Sequence, residues 1–409
     1  MKGLALLLAL GVALVLAVQF GSPPEEVSPP AAAGGASVER GRYLVRAANC
    51  FSCHTAPGGA PYAGGRPIET PFGTLYSSNI TPDPETGIGR WSADDLWRAL
   101  HEGKSRDGSL LYPAFPYTHY TRLRRADADA MFAYLRTVPA VRHANAPHRM
   151  RFPYDKRPLL AGWRALHFEQ ASFKEDPGRS EQWNRGAYLV EVLGHCGACH
   201  GERGGSMPMQ GWYAPALASE RDSGLGAWPV EEIVELLKTG VAPRGAVFGP
   251  MAEVVRDSLQ HLTGEDLTAM AVYLKSRREA DDSSAPGGAL VSSGQRAELM
   301  KQGAVLYREH CAGCHQKNGE GVPRIYPPLA GNSAILMRNP VNAIRITLNG
   351  GFPPSTAGNP RPYGMPPFAH QLSDRQVAAV VTYVRGAWGN GAAPVSPGEV
   401  ASGRGVPLN

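Results

Sequence analysis

The chain is 409 residues long, enough for about three domains of ordinary size. Its apolar content of 43% is that of a chain with buried cores, and a mild net charge of +5, without any stripe of Lys and Arg interleaved with aromatics, argues against a nucleic-acid partner. The 48 glycines and 36 prolines exclude long coiled coils and predict short helices joined by much loop.

At the N-terminus, Met1-Lys2 precedes an apolar run from Gly3 to Phe20 that only Gln19 interrupts. One positive charge ahead of such a run is an export signal, and 18 residues just suffice to span a bilayer. The cleavage site after Val15-Leu16-Ala17 is weak, so residues 1–37 are read as a signal or, by preference, an uncleaved membrane anchor with its linker. The remainder of the chain is exported in either case.

One unit then occurs three times. Arg40-Gly41-Arg42-Tyr43-Leu44-Val45 leads to Cys50-Phe51-Ser52-Cys53-His54, and Arg185-Gly186-Ala187-Tyr188-Leu189-Val190 to Cys196-Gly197-Ala198-Cys199-His200. Gln302-Gly303-Ala304-Val305-Leu306-Tyr307 leads to Cys311-Ala312-Gly313-Cys314-His315. Each unit is predicted to open with a short helix that delivers the cysteines. Each closes with a second helix, marked by Tyr134, Tyr273 and Tyr383, two of which begin with the capping patterns Thr263-x-x-Asp266 and Ser373-x-x-Gln376. The expected organisation is three domains, over 38–141, 180–279 and 296–392, with linkers over 142–179 and 280–295 and a flexible tail over 393–409. The first linker is Pro-rich and basic, with Arg142, Arg149, Arg151, Lys156, Arg157 and Arg164 among Trp163 and Phe168. It reads as a solvated strap, or as a docking surface for lipid headgroups or a partner. The second, Asp281 to Gly288, reads as a flexible joint.

All six cysteines fall in the three Cys-x-x-Cys-His segments. Two thiols at this spacing reach the two vinyl groups of a haem, and the histidine that follows at once ligates its iron, so the pattern is the attachment signature of haem c. Structural zinc wants paired motifs close together, and a thioredoxin-type centre wants a βαβ setting. The reading is therefore three covalent haems c, held by Cys50, Cys53, Cys196, Cys199, Cys311 and Cys314, with His54, His200 and His315 on iron. Trp91 and Trp228, each just before a predicted helix, serve either as core packing or as N–H donors to a haem propionate.

The sixth ligand sets what each iron can do, and electron-transfer sites usually fill it with Met. Met251, in Gly249-Pro250-Met251, and Met365, in Gly364-Met365-Pro366-Pro367, are predicted to lie on loops before the last helix of the second and third units. Met207 and Met209 come too soon after the second haem helix. In the first unit the equivalent position, counted back from Tyr134, is Phe115, which cannot ligate. His119, four residues on, is the preferred ligand. Met131 in the last helix, His101 and an open iron are the alternatives.

These segments resemble the three-haem cytochrome c subunit of membrane-bound periplasmic dehydrogenases of the alcohol and gluconate dehydrogenase type. The resemblance rests on the three Cys-x-x-Cys-His segments, on Gly249-Pro250-Met251-Ala252-Glu253-Val254-Val255, on Pro327-Pro328-Leu329-Ala330-Gly331-Asn332 and on Pro360 to Phe368. That family carries Met where this chain has Phe115. The stretch Pro113-Ala114-Phe115-Pro116-Tyr117-Thr118-His119-Tyr120 is more similar to cytochrome subunits of molybdenum hydroxylases of the nicotinate or aldehyde dehydrogenase type.

The expected fold is mainly α, with three tandem class I cytochrome c domains. The resemblance implies a catalytic dehydrogenase partner, ubiquinone or a terminal oxidase as acceptor, and a place on the periplasmic side of the inner membrane. Gly-x-Gly-x-x-Gly, His-Glu-x-x-His and Gly-x-Ser-x-Gly are all missing, so substrate oxidation is assigned to another subunit. The rival readings are a haem enzyme with an open first iron and a free-standing electron carrier.

Overall fold

The computed structural model describes residues 35–201, 211–217, 224–277 and 291–405. The N-terminal apolar run, Met207 and Met209, and the joint from Asp281 to Gly288 lie outside the described residues. No helix among the described residues is long and apolar enough to cross a membrane. The chain divides into two compact units: one runs up to Val45 and resumes over Cys53–Lys174, and the other takes Arg46–Ser52 and everything from Glu175.

The first repeat opens with α1 (Gly35–Ala47), followed by the first cysteine turn, α2 (Cys50–His54). Strands β1 (Pro67–Thr70) and β2 (Gly73–Tyr76) form a hairpin, with Pro67 opposite Tyr76 and Thr70 opposite Gly73. Helices α3 (Ala93–Glu102), α4 (Tyr117–Tyr120) and α5 (Arg125–Leu135) complete the haem-binding part. Helix α3 starts at a capping box between Ser92 and Asp95 and stops at Gly103, whose φ of 61° only a glycine adopts cheaply. The basic stretch that follows these helices is mostly exposed and carries two short elements. Arg149–Met150 forms a third strand, β3, on β2, and Leu159–His167 forms helix α6. The Arg164 guanidinium lies over the Phe168 ring (4.4 Å) and the buried Tyr117 ring (5.4 Å).

The second unit holds two further repeats. In the first of them α7 (Glu181–Tyr188) continues through a π turn (Leu189–Leu193) toward Cys196. Then come α8 (Val230–Thr239), the hairpin of β4 (Val241–Ala242) and β5 (Gly245–Ala246), α9 (Pro250–Asp257) and α10 (Gly264–Ser276). The last repeat comprises α11 (Ser293–His310), α12 (Ala312–His315), α13 (Ser333–Leu336), α14 (Val341–Asn349) and α15 (Asp374–Gly386). A further helix, α16 (Pro397–Arg404), ends the described chain.

The first and last helices of every repeat cross at a glycine, and the crossing is nearly backbone on backbone. A Cβ on Gly41 would stand 1.8 Å from the carbonyl oxygen of Ala130, one on Gly186 2.0 Å from that of Ala269, and one on Gly303 2.1 Å from that of Ala379. The same register recurs around each crossing. Four residues beyond the alanine stand Tyr134, Tyr273 and Tyr383. They pack on Tyr62 (6.5 Å between centroids), on Trp183 (5.0 Å), and on Tyr307 and Trp388 (5.5 and 5.3 Å). Three residues before the alanine, Asp127 pairs with Arg40, and Asp266 takes the Arg185 fork through two bonds of 2.8 and 2.6 Å. Gln302 and Gln376 hold these positions in the third repeat, where Gln376 closes a capping box with Ser373 instead.

The tail expected to be flexible is ordered into the third core. Ser396 and Glu399 cap α16 reciprocally, Val395 and Val400 are 0% exposed within the core formed by α11, α14 and α15, and Arg404 reaches Asp374 and the Leu372 carbonyl. Its Gly, Pro and Ala content hid two apolar anchors and a cap.

Replacing Gly186 by Ala forces Cβ into the Ala269 carbonyl. The expected outcome is a loss of about 1–3 kcal/mol in the stability of that domain, read as a lower urea midpoint of its Soret signal. Gly264→Ala, where nothing lies within 4 Å of the new Cβ, is the control and should leave the midpoint in place. Equal midpoints for the two variants would refute the crossing argument.

Candidate haem-attachment sites

Each cysteine turn sits at the end of its repeat's first helix, so the thiols and the histidine emerge together. None of the six cysteines is in a disulfide. Cys53 and Cys314 are exposed and the other four are partly buried. Burial, with the neighbouring cysteine adding to it, pushes the Cys196 thiol up to about 12 and the Cys311 thiol up to about 11.

The three histidines are held alike. Nδ1–H of His54 donates to the Ser78 carbonyl (2.7 Å), that of His200 to Pro215 (2.7 Å) and that of His315 to Pro327 (3.0 Å). A donating Nδ1 fixes the neutral tautomer with its lone pair on Nε2, the arrangement a metal-ligating imidazole needs. Burial holds all three below the ordinary histidine value, against the pull of these carbonyls. The donor chemistry therefore fits iron at every turn. The three carbonyls are functional groups that the sequence reading did not single out. Pro215 and Pro327 follow their histidines by 15 and 12 residues, and that recurrence was the available signal.

Met251 lies in the first turn of α9, not on a loop. Gly249 at the N-cap (φ 57°) and Pro250 at the first helical position start a helix, which the Gly-Pro pair encodes. Trp212 packs against Gly249, where a Cβ would meet its ring at 2.7 Å. Met365 does lie on a loop, and its backbone is clamped. Its N–H donates to the Gly351 carbonyl (2.8 Å), Gly351 N–H donates back (3.0 Å), and Gly350 passes so close that a Cβ would fall 2.3 Å from its carbonyl oxygen. The side chains of Met365 and Cys311 pack against one core.

In the first unit Phe115 is half-buried beside Tyr117 and Tyr120 (6.5 and 5.7 Å between centroids). His119 is partly buried in α4. His101 stacks flat on Trp97 (4.4 Å, 11° between planes), and Met131 is 2% exposed in the core of α5. Trp228 is buried at the start of α8, its carbonyl taken by Lys275, while Trp91 is half-buried.

Three Cys-x-x-Cys-His turns, each between crossed helices and each with its imidazole aimed by a backbone carbonyl, define a multi-haem c-type cytochrome. The chain belongs to the cytochrome c family, whose pattern matches residues 38–139, 184–278 and 300–388. It carries three covalently attached haems c and transfers electrons. It is 38% identical to the cytochrome c subunit of alcohol dehydrogenase (quinone) of Gluconobacter oxydans, over 98% of this chain and 86% of the relative. It is 39% identical to the gluconate 2-dehydrogenase cytochrome c subunit of Pantoea cypripedii, over 90% of each. It is also 42% identical to a nicotinate dehydrogenase subunit of Pseudomonas putida, over 92% of this chain but only 32% of that longer relative.

A pyridine haemochrome assay on the purified chain should give three haems. Cys196→Ala with Cys199→Ala should give two, both still covalent after acid–acetone extraction. A count that stays at three would mean that this turn holds no haem.

Proposed function

We propose that this chain is the electron-transfer subunit of a periplasmic dehydrogenase complex, receiving electrons from a catalytic partner and passing them to ubiquinone or a terminal oxidase. The observation that carries the reading is the near full-length match to cytochrome subunits of dehydrogenases for two different substrates. The export signal expected at the N-terminus would hold the complex at the outer face of the inner membrane. The test is a strain lacking the chain. Respiration on one substrate, among alcohols, aldehydes, gluconate and nicotinate, should stop while the catalytic subunit still reduces an artificial dye. If respiration continues on every such substrate, the chain is a free-standing carrier.

Bound haem supplies a one-electron Fe(III)/Fe(II) couple whose potential the axial ligands tune. In this reading His54, His200 and His315 are the fixed ligands, Met251 and Met365 supply thioethers in the second and third domains, and His119 supplies an imidazole in the first. Imidazole stabilises Fe(III) more than a thioether does, so the first domain has the lowest potential. Electrons enter there and leave from the domains with methionine ligands. A second reading draws on Phe115: an open iron in the first domain would act on a small molecule. Carbon monoxide binding by the reduced protein separates the two, since a six-coordinate site binds little.

Met251→Ala and Met365→Ala should each remove one share of the near-red Fe(III)–thioether band and lower one potential. If either leaves band and potentials unchanged, that ligand is wrong. His119→Ala should convert one low-spin site to high-spin, and Phe115→Met should raise one potential. Three unaltered low-spin sites in His119→Ala would return Met131 or His101 to consideration.

A further inference from the structure

Where the second and third domains meet inside the second unit, one face of α14 turns toward the segment that follows the second haem turn. Asn342 grips Tyr213 through two bonds: Tyr213 N–H donates to its Oδ1 (2.9 Å) and its Nδ2 donates to the Tyr213 carbonyl (2.7 Å). One turn on, the Arg345 guanidinium lies over the Trp212 ring at 5.4 Å. One turn further is Asn349. Arg345 is 1% exposed, yet its Nε and Nη1 have no hydrogen-bond partner among the described residues, and neither has the buried Nδ2 of Asn349.

Two side chains four residues apart on a helix face each other. Here both present donors and neither finds an acceptor. A buried, unpaired guanidinium is among the costliest groups a fold can carry. Burial lowers the pKa of Arg345, and no acidic side chain among the described residues offsets it. The surroundings say which anion belongs there. Trp212 packs on Gly249, two residues before Met251, and Pro215 of the same segment holds His200. Asn349 adjoins Gly350, which clamps Met365. The donors thus lie between the axial-ligand segments of two domains, and each of those domains carries a haem with two propionate carboxylates.

We propose that Arg345 and Asn349 bind a haem propionate at the junction of the second and third domains, by charge-assisted hydrogen bonds from the guanidinium and a neutral one from the carboxamide. The positive charge beside the carboxylate raises the potential of that haem, because it offsets a negative charge that favours Fe(III). Arg345 is then a positioning and tuning residue. The inference rests on the haem content and is independent of the dehydrogenase reading.

The experiment is a spectroelectrochemical titration of the full chain, fitted to three one-electron potentials, for Arg345→Gln, Arg345→Met and Arg345→Lys. Gln and Met should each lower one potential by a tenfold change in its reduction equilibrium, about 59 mV, and Lys should restore most of it. Repeating the titration with Met251→His or Met365→His, each of which displaces one haem's potential, tells whether the second or the third domain supplies the propionate. Should those tags move nothing, the ligand assignments fail, but the Arg345 shift is still read. Arg345→Met keeps a stem to pack on Trp212 and removes the charge, so a merely structural role would leave its potentials at wild type. The proposal is overturned if all three potentials stay in place in both neutral variants, or if the shifted haem is the first. Should Gln and Met fail to load haem, Asn349→Ala must still lower one potential of the second or third domain, and unchanged potentials there would overturn the proposal.

Discussion

Everything in each repeat depends on how closely two helices approach. At Gly41, Gly186 and Gly303 the first helix lies against the backbone of the last, and no side chain separates them. That contact sets the angle at which the first helix ends, and the cysteine turn starts where it ends. The tyrosine one turn beyond the crossing and the arginine–aspartate pair before it hold the register, so the thiols and imidazole of one turn emerge in a defined direction. The third repeat keeps the glycine and the tyrosine but replaces the ion pair with two glutamines. Of the three devices, the glycine and the tyrosine are common to all repeats and the ion pair is not.

The three domains hold the histidines of their cysteine turns in one way and place the candidate sixth ligands on three different supports. A backbone carbonyl takes Nδ1 every time, though its owner is a serine in the first domain and a proline in the others. The candidate thioethers sit on different supports: Met251 on the first turn of a helix started by Gly-Pro, Met365 on a strand-like loop clamped by two glycines. The first domain offers a short helix with aromatic neighbours. Electron relays gain direction from such differences, since the axial set is a main determinant of potential.

The chain's plan was legible in its sequence wherever chemistry required fixed spacing. Cys-x-x-Cys-His admits few alternatives, and the glycine and tyrosine that frame each turn recur in register because the crossing has no room for variation. What escaped notice depended on tertiary context. The carbonyls of Ser78, Pro215 and Pro327 carry no side-chain signature. Arg345 reads as an ordinary surface residue of an amphipathic helix until Trp212 covers it. Composition misled at the C-terminus, where the Gly/Pro/Ala-rich tail conceals Val395, Val400 and a capping box.

That tail separates two notions of a domain. The family pattern stops at residue 388, but the core of the third domain continues to Arg404. A fragment cut at the edge of the recognisable pattern would expose the surface that Val395 and Val400 cover and would free the Asp374 end of α15 from Arg404. For this domain, the stretch that the family pattern marks and the stretch that packs as one core differ in length.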